Sequence, residues 1–172
     1  MQLEFLESLL LFAAIDFYML VNDGLRLVAA LLAGAVIGWD RERHDKPAGL
    51  RTHMLVSLGS AMLMVIATRF ATLAQAGDAT VRVDPTRVIA GIVGGIGFIG
   101  AGAIMKGKGR TSVSGITTAA SVWVSSAAGI ACGMGYHDIA FVSVLLAGIV
   151  LIVIGRAEQH MPPPETGDGD GS

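Results

Sequence analysis

Five long apolar blocks, at 25–39, 53–70, 88–105, 116–134 and 139–154, limit what this chain can fold into more than any other feature. A hydrocarbon core about 30 Å thick is crossed by roughly 20 helical residues, within a range of about 17–25. The middle three blocks meet that length. The first and last fall short, but Arg26 can snorkel at the start of one and Gly155 extends the other. Charged residues make up 15% of the chain and hydrophobic residues 53%, whereas a soluble domain carries about 25% charged residues. The expected fold is all-α: a polytopic membrane helical bundle with five core transmembrane helices.

An extra N-terminal helix is open. Residues 3–21 are apolar but carry Asp16, and a charge at the bilayer centre costs about 2.5–3.5 kcal/mol on insertion scales. The segment therefore either spans or lies at the interface, with spanning slightly favoured. It is not a secretory leader, because Glu4 and Glu7 stand where a basic region belongs and no small-x-small cleavage site follows. The organisation expected is an N-terminal segment at 1–24, a transmembrane domain at 25–155 and a Pro/Gly-rich, acidic, disordered tail at 156–172. The single cysteine, Cys132, lies in an apolar run and has no partner for an intrachain disulfide.

Orientation comes from the placement of Lys and Arg, not from the net charge of −2. Loop 40–52 holds Arg41, Arg43, Lys46 and Arg51, and loop 106–115 holds Lys106, Lys108 and Arg110. In loop 71–87, Arg82 and Arg87 are balanced by Asp78 and Asp84, and Tyr136–Asp138 has no Lys or Arg. The positive-inside rule places both basic loops in the cytoplasm.

The stretch GGIGFIGAGAIMKGKG, residues 94–109, contains G-x-G-x-x-G at Gly95, Gly97 and Gly100, and G-x-x-x-x-G-K ending at Lys108. A dinucleotide fingerprint needs a preceding strand and an acidic residue about 20 positions on; here the run is continuously apolar and 115–122 offers no carboxylate. The P-loop pattern fails at Gly109, where a Mg²⁺-binding Ser or Thr belongs. Helix contact is the better reading, because association in lipid relies on small residues that let backbones approach. Gly34 with Gly38, Gly91 with Gly95 and Gly129 with Gly133 form further G-x-x-x-G pairs. The sharper alternative is a helix broken near 97–102 that frees backbone groups for an ion or solute.

Two stretches echo each other at a constant offset of sixty-six: Gly34 leads through a basic loop to Gly49-Leu50-Arg51-Thr52, and Gly100 to Gly115-Ile116-Thr117-Thr118. Both hairpins run in one direction on this topology, which suits a parallel repeat about an axis along the membrane normal. Chance explains so short a match equally well. Thr52 and Thr118 are placed to cap helix N-termini. With Arg41 and Arg51 nearby, the functional reading is binding of an anion or a lipid headgroup.

The loop WDRERHDKPAGLRTH has the highest density of function-capable side chains. Asp40 and Glu42 are the candidate Mg²⁺ donors, since Mg²⁺ takes one or two carboxylates and keeps several waters. The competing reading pairs them with neighbouring Arg and Lys. His44 and His53 lack the spacing of a metal pair, His53 reading instead as an interfacial hydrogen-bonding residue. No catalytic constellation stands out, so an enzyme is not expected, and neither a cofactor nor a nucleic-acid partner is implied.

Together, GAVIGWDRERHDKPAGLRTHMLV, GIVGGIGFIGAGAIM and SGITTAASVWVSSAAGIACGMG closely resemble the MgtC/SapB family of bacterial inner-membrane proteins. The likeness covers about 25–154. It implies a five-helix domain in the bacterial inner membrane, linked to growth in low Mg²⁺ and, in pathogens, to survival inside host cells. It also implies modulation of the F-type ATP synthase. Carried over by motif, the family positions are Asp40, Arg41, Glu42, Gly49, Leu50, Arg51 and Thr52; Gly95, Gly97, Phe98, Gly100 and Gly102; and Gly115, Thr117, Thr118 and Trp123. Asp40 replaces a frequent Glu, and Val124 stands where some members have Cys. Longer members add a soluble C-terminal domain.

The resulting expectation is a non-enzymatic factor in Mg²⁺ homeostasis, embedded in the lipid bilayer and homodimeric through Gly-rich faces. It would act on a membrane partner such as the ATP synthase. The alternative is a transporter or channel for a cation or small solute, with a path between 97–102 and the loop 40–51.

Overall fold

The computed structural model describes the backbone of residues 2–77, 84–106 and 113–159, and the side chains of 17–74, 84–104 and 114–157. The helices are α1 (Gln2–Arg43), α2 (Leu50–Gly77), α3 (Pro85–Ala103), α4 (Ile116–Met134), α5 (His137–Ile149) and α6 (Gly155–Gln159). A π-helical turn at Val150–Ile154 joins the last two without a break. Two short strands, β1 (Met105–Lys106) and β2 (Val113–Ser114), pair antiparallel between α3 and α4.

Five helices are long and apolar enough to cross a membrane: Phe17–Arg43, Leu50–Ala74, Pro85–Ala103, Ile116–Met134 and the continuous His137–Ala157. The fold is thus an all-α polytopic bundle, as the block pattern requires. The N-terminal segment is not a separate helix, because α1 runs on through residue 24 with no proline to stop it. Its 42 residues measure about 63 Å at 1.5 Å per residue. The tail beyond residue 159 and the basic residues Lys108 and Arg110 lie outside the described residues.

Helix ends follow local chemistry. Asp84 caps α3: it has extended backbone, its carboxylate accepts from the Thr86 amide at 2.9 Å, and Pro85 occupies the first helical position, where no amide hydrogen is needed. The cap of α4 corrects the expectation for Thr118. Gly115 takes that place at φ +93°, with no side-chain cap, and a Cβ there would overlap the Ala103 carbonyl. Thr118 is instead buried within the helix. Only glycine meets both demands. At the far end Gly135, at φ +85°, closes α4, and the Tyr136 amide donates to the Ala131 carbonyl at 2.9 Å, the six-to-one bond of a Schellman turn.

Helices α2 and α4 form the centre, with α1 packed on both and α3 and α5 more lipid-exposed. The interior is built from Ala30, Ala61, Ala128 and Cys132, with Ser57, Ser60, Ser121, Ser125 and Ser126 buried among them. Ile37, Met64 and Val122 are buried with them, while many other large apolar side chains face outward, Phe98 and Phe141 among them. Lipid provides no hydrophobic drive between helices, so small side chains and hydroxyl contacts do the joining. Where a Cβ on Gly34 would sit is the His53 carbonyl, and on Gly129 the Ser57 carbonyl; on Gly38 it would be 2.8 Å from Leu50 Cα, and on Gly133 2.6 Å from the Ala61 carbonyl.

The echo at sixty-six has a structural counterpart. Gly34 faces His53 across the α1–α2 hairpin, and Gly100 faces Ala119 across the α3–α4 hairpin, with a Cβ on Gly100 lying 3.6 Å from that of Ala119. Ser60 and Ser126, equivalent at the same offset, hydrogen-bond to each other at 2.8 Å. Self-contact between equivalent positions is what a two-fold relation between parallel helices produces.

Candidate functional site

The charged end of the bundle begins where α1 stops. Asp45 ends α1 in the left-handed region at φ 49°, while the Lys46 amide donates to the Arg41 carbonyl at 3.1 Å. Asp is one of the few residues other than Gly that tolerate this conformation. The turn brings Glu42 back over the start of α2. Its carboxylate accepts from the Leu50 amide at 2.9 Å, in the cap role expected of Thr52. A Cβ on Gly49 would overlap that carboxylate, so the glycine makes room for it.

Asp40 is committed to its own neighbours. Arg41 donates to it through Nη2 at 2.6 Å and Nε at 3.1 Å, and His44 Nδ1 lies 3.4 Å from its other oxygen. Arg41 is buried, and this pairing is what makes its burial tolerable. His44 Nδ1 donates to the Asp40 carbonyl at 2.7 Å, and the Arg43 guanidinium sits 5.4 Å from the Trp39 ring centre. Asp40 and Glu42 therefore engage separate partners. Among the described residues no three His, Cys, Asp or Glu side chains are grouped to hold a metal.

His53, in the first turn of α2, is fully buried against α4 and hydrogen-bonded there. Its Nδ1 donates to the Gly49 carbonyl at 2.8 Å, its Nε2 lies 3.0 Å from Ser121 Oγ, and that hydroxyl donates to the Thr118 carbonyl at 2.8 Å. This chain of contacts links three motif regions, at Gly49, His53 and Thr118, and sequence reasoning misses it. The available signal is a histidine and a serine near the equivalent starts of the two echoed helices.

A cavity of about 790 Å³ opens at this end, lined by α1 and its turn (Trp39–Pro47), the start of α4 (Gly115, Thr117, Thr118) and the end of α5 with Arg156. The loop after α1 and the start of α4 thus share one face of the bundle. The contribution of α5 has no signal in the sequence. The remaining motif residues lie elsewhere: α3 is one unbroken helix through 97–102, and a Cβ on Gly91, Gly94, Gly95, Gly97 or Gly102 would meet nothing within 4 Å. Phe98 on α3 is 85% exposed and Trp123 on α4 is half exposed. The dinucleotide pattern fails again, since Gly95, Gly97 and Gly100 lie inside that helix, with no strand before it among the described residues; Gly107 of the second pattern lies outside them. At the opposite end, Asp23 pairs with Arg69 at 2.5 Å, and Arg26 donates to the Gly133 carbonyl in the last turn of α4 at 3.1 Å.

These features define a multi-pass membrane protein with a fixed ionic turn at one end and an open glycine face on an outer helix. Residues 27–160 match the model of the MgtC family, and the chain belongs to that family. It is 35% identical to protein SrpB of Synechococcus elongatus, over 78% of this chain and 75% of that protein. It is 36% identical to protein MgtC of Salmonella typhimurium, over 80% of this chain but only 54% of that protein. Protein SapB of Bacillus subtilis is 39% identical, over 70% and 51%. The match thus spans only about half the length of the latter two relatives. No solved structure matches.

Proposed function

We propose that the chain is a non-enzymatic factor in Mg²⁺ homeostasis that acts by holding a membrane partner against α3, with the F-type ATP synthase as the leading candidate. The observation that carries this is the unused glycine face of α3: small residues at membrane depth gain nothing by facing lipid, but let a second backbone approach closely. A second copy of the chain would use the same face to form a homodimer. The basic loops 40–52 and 106–115 face the cytoplasm in this reading, following the positive-inside rule. Asp40 and Glu42 act in it as anchors of the turn, the one held by Arg41 and the other by the Leu50 amide.

Transport loses its simplest route, because α3 is continuous across 97–102. The test is capture of membrane partners by a photo-crosslinker at Gly95, beside Mg²⁺ flux in proteoliposomes with the purified chain. Crosslinking to the synthase without flux supports the proposal. Flux that disappears in Asp40→Ala would replace it with the transport alternative.

A further inference from the structure

The cavity at the charged end joins two kinds of wall. One is cationic: Arg41, Arg43, Lys46 and Arg156 line it, against the carboxylates of Asp40 and Asp45. Asp40 is already neutralised by Arg41. Lys46 is in no ion pair among the described residues, and Arg43 is held over the Trp39 ring with its charge intact. The other wall is apolar, formed by Val36 on α1 and by Val150, Leu151 and Ile154 in the π-helical turn after α5. Val36, Val150 and Ile154 are more than half exposed, so this wall runs out onto the lipid-facing side of the bundle. The start of α4 adds amide hydrogens that no side chain caps.

A cation has no reason to enter a site with this balance, and a small free anion would leave the apolar wall unused. An amphiphile with an anionic head satisfies both. Trp39, about half exposed beside the basic residues, marks the depth at which aromatic side chains sit at the membrane–water boundary. The volume falls within the range of about 300–1,000 Å³ typical of small-ligand sites. We propose that this cavity binds the phosphate headgroup of an anionic membrane lipid, with Arg43 and Lys46 as its principal contacts and the lipid's acyl chains lying along Val36 and Ile154. The site is independent of the α3 face and of any partner there.

The test is lipid retention by the purified full chain in detergent, read by native mass spectrometry and by thermal shift. The probes are phosphatidylglycerol, phosphatidylcholine and inorganic phosphate. Phosphatidylglycerol should bind in preference to phosphatidylcholine, weaken as ionic strength rises, and be held about thirtyfold less tightly in Arg43→Gln/Lys46→Gln. Arg87→Gln, at the far end of the bundle, should leave binding unchanged. Equal retention of the two lipids, or an unaffected double variant, overturns the proposal. Displacement of phosphatidylglycerol by inorganic phosphate overturns the lipid source and assigns the site to the soluble anion. If the double variant does not fold, the ionic-strength series on the unaltered chain decides instead: phosphatidylglycerol retention that does not change with salt overturns the proposal.

Discussion

The Glu42 carboxylate occupies the space that a side chain on Gly49 would fill, and from there it closes the first turn of α2 through the Leu50 amide. Two motif residues seven positions apart thus form one device, a carboxylate at the positive end of a helix and the gap that admits it. Glu42→Ala should destabilise the protein by about 1 kcal/mol, the usual scale for losing an N-terminal cap. Gly49→Ala should do the same by displacing Glu42. Thermal unfolding in detergent with and without Mg²⁺ checks the role: an anchoring carboxylate predicts the same loss in both, whereas a metal ligand predicts that Mg²⁺ stabilises only the unaltered chain.

Glycines in α4 and α3 should respond oppositely to the same substitution. A Cβ at Gly129 meets the Ser57 main chain, and overpacking of this kind costs about 1–3 kcal/mol. Gly129→Ala should therefore lower the melting temperature. Gly94→Ala and Gly95→Ala place a methyl in open space and replace a poor helix former by a good one. They should leave stability unchanged or slightly raised while weakening capture of a partner. A destabilised Gly95→Ala would show that the face is already occupied within the folded chain.

The hydroxyl pair at the pseudo-two-fold, Ser60 and Ser126, should be coupled. Ser60 also donates to the Val56 carbonyl at 2.9 Å, which leaves its oxygen to accept from the Ser126 hydroxyl. A double-mutant cycle with Ser60→Ala and Ser126→Ala should give a coupling of about 0.6 kcal/mol, the average for interhelical hydrogen bonds in a membrane protein. Strict additivity would mean that the contact carries no net energy.

Much of this architecture is legible in the residues. Apolar block length fixes the five crossings, because the bilayer supplies the ruler. The ionic turn is visible as a density of charge, but the assignment of partners is not. Sequence places Asp40 and Glu42 two apart as if to share one ion, whereas the left-handed Asp45 turn sends Glu42 to Leu50 and leaves Asp40 with Arg41 and His44. Thr118 reads as a cap because the required backbone twist at Gly115 cannot be inferred from composition. The burial of His53 is hidden in the sequence because its partner Ser121 is sixty-eight positions away. The glycines of α3 mislead for a related reason: G-x-x-x-G specifies a face that permits close approach, not the helix that approaches it. Gly34 and Gly129 use that face inside the chain, and Gly91 and Gly95 do not.

Asp84 gives the bundle a pH-sensitive cap outside the membrane. The Thr86 hydroxyl, at 2.6 Å, and the Thr86 amide both donate to its carboxylate and hold its pKa below the ordinary value, with Arg87 adding to the effect. A depressed carboxylate contributes stability that is present above its unfolded pKa and lost as pH falls through the folded one. The first turn of α3 should therefore fray in acid. Hydrogen exchange at the Thr86 amide should accelerate relative to the α3 interior as pH drops below the usual carboxylate range. Asp84→Asn, which still caps but does not titrate there, should give a flat relative profile. A profile that keeps its acid dependence in Asp84→Asn would assign the effect to another group.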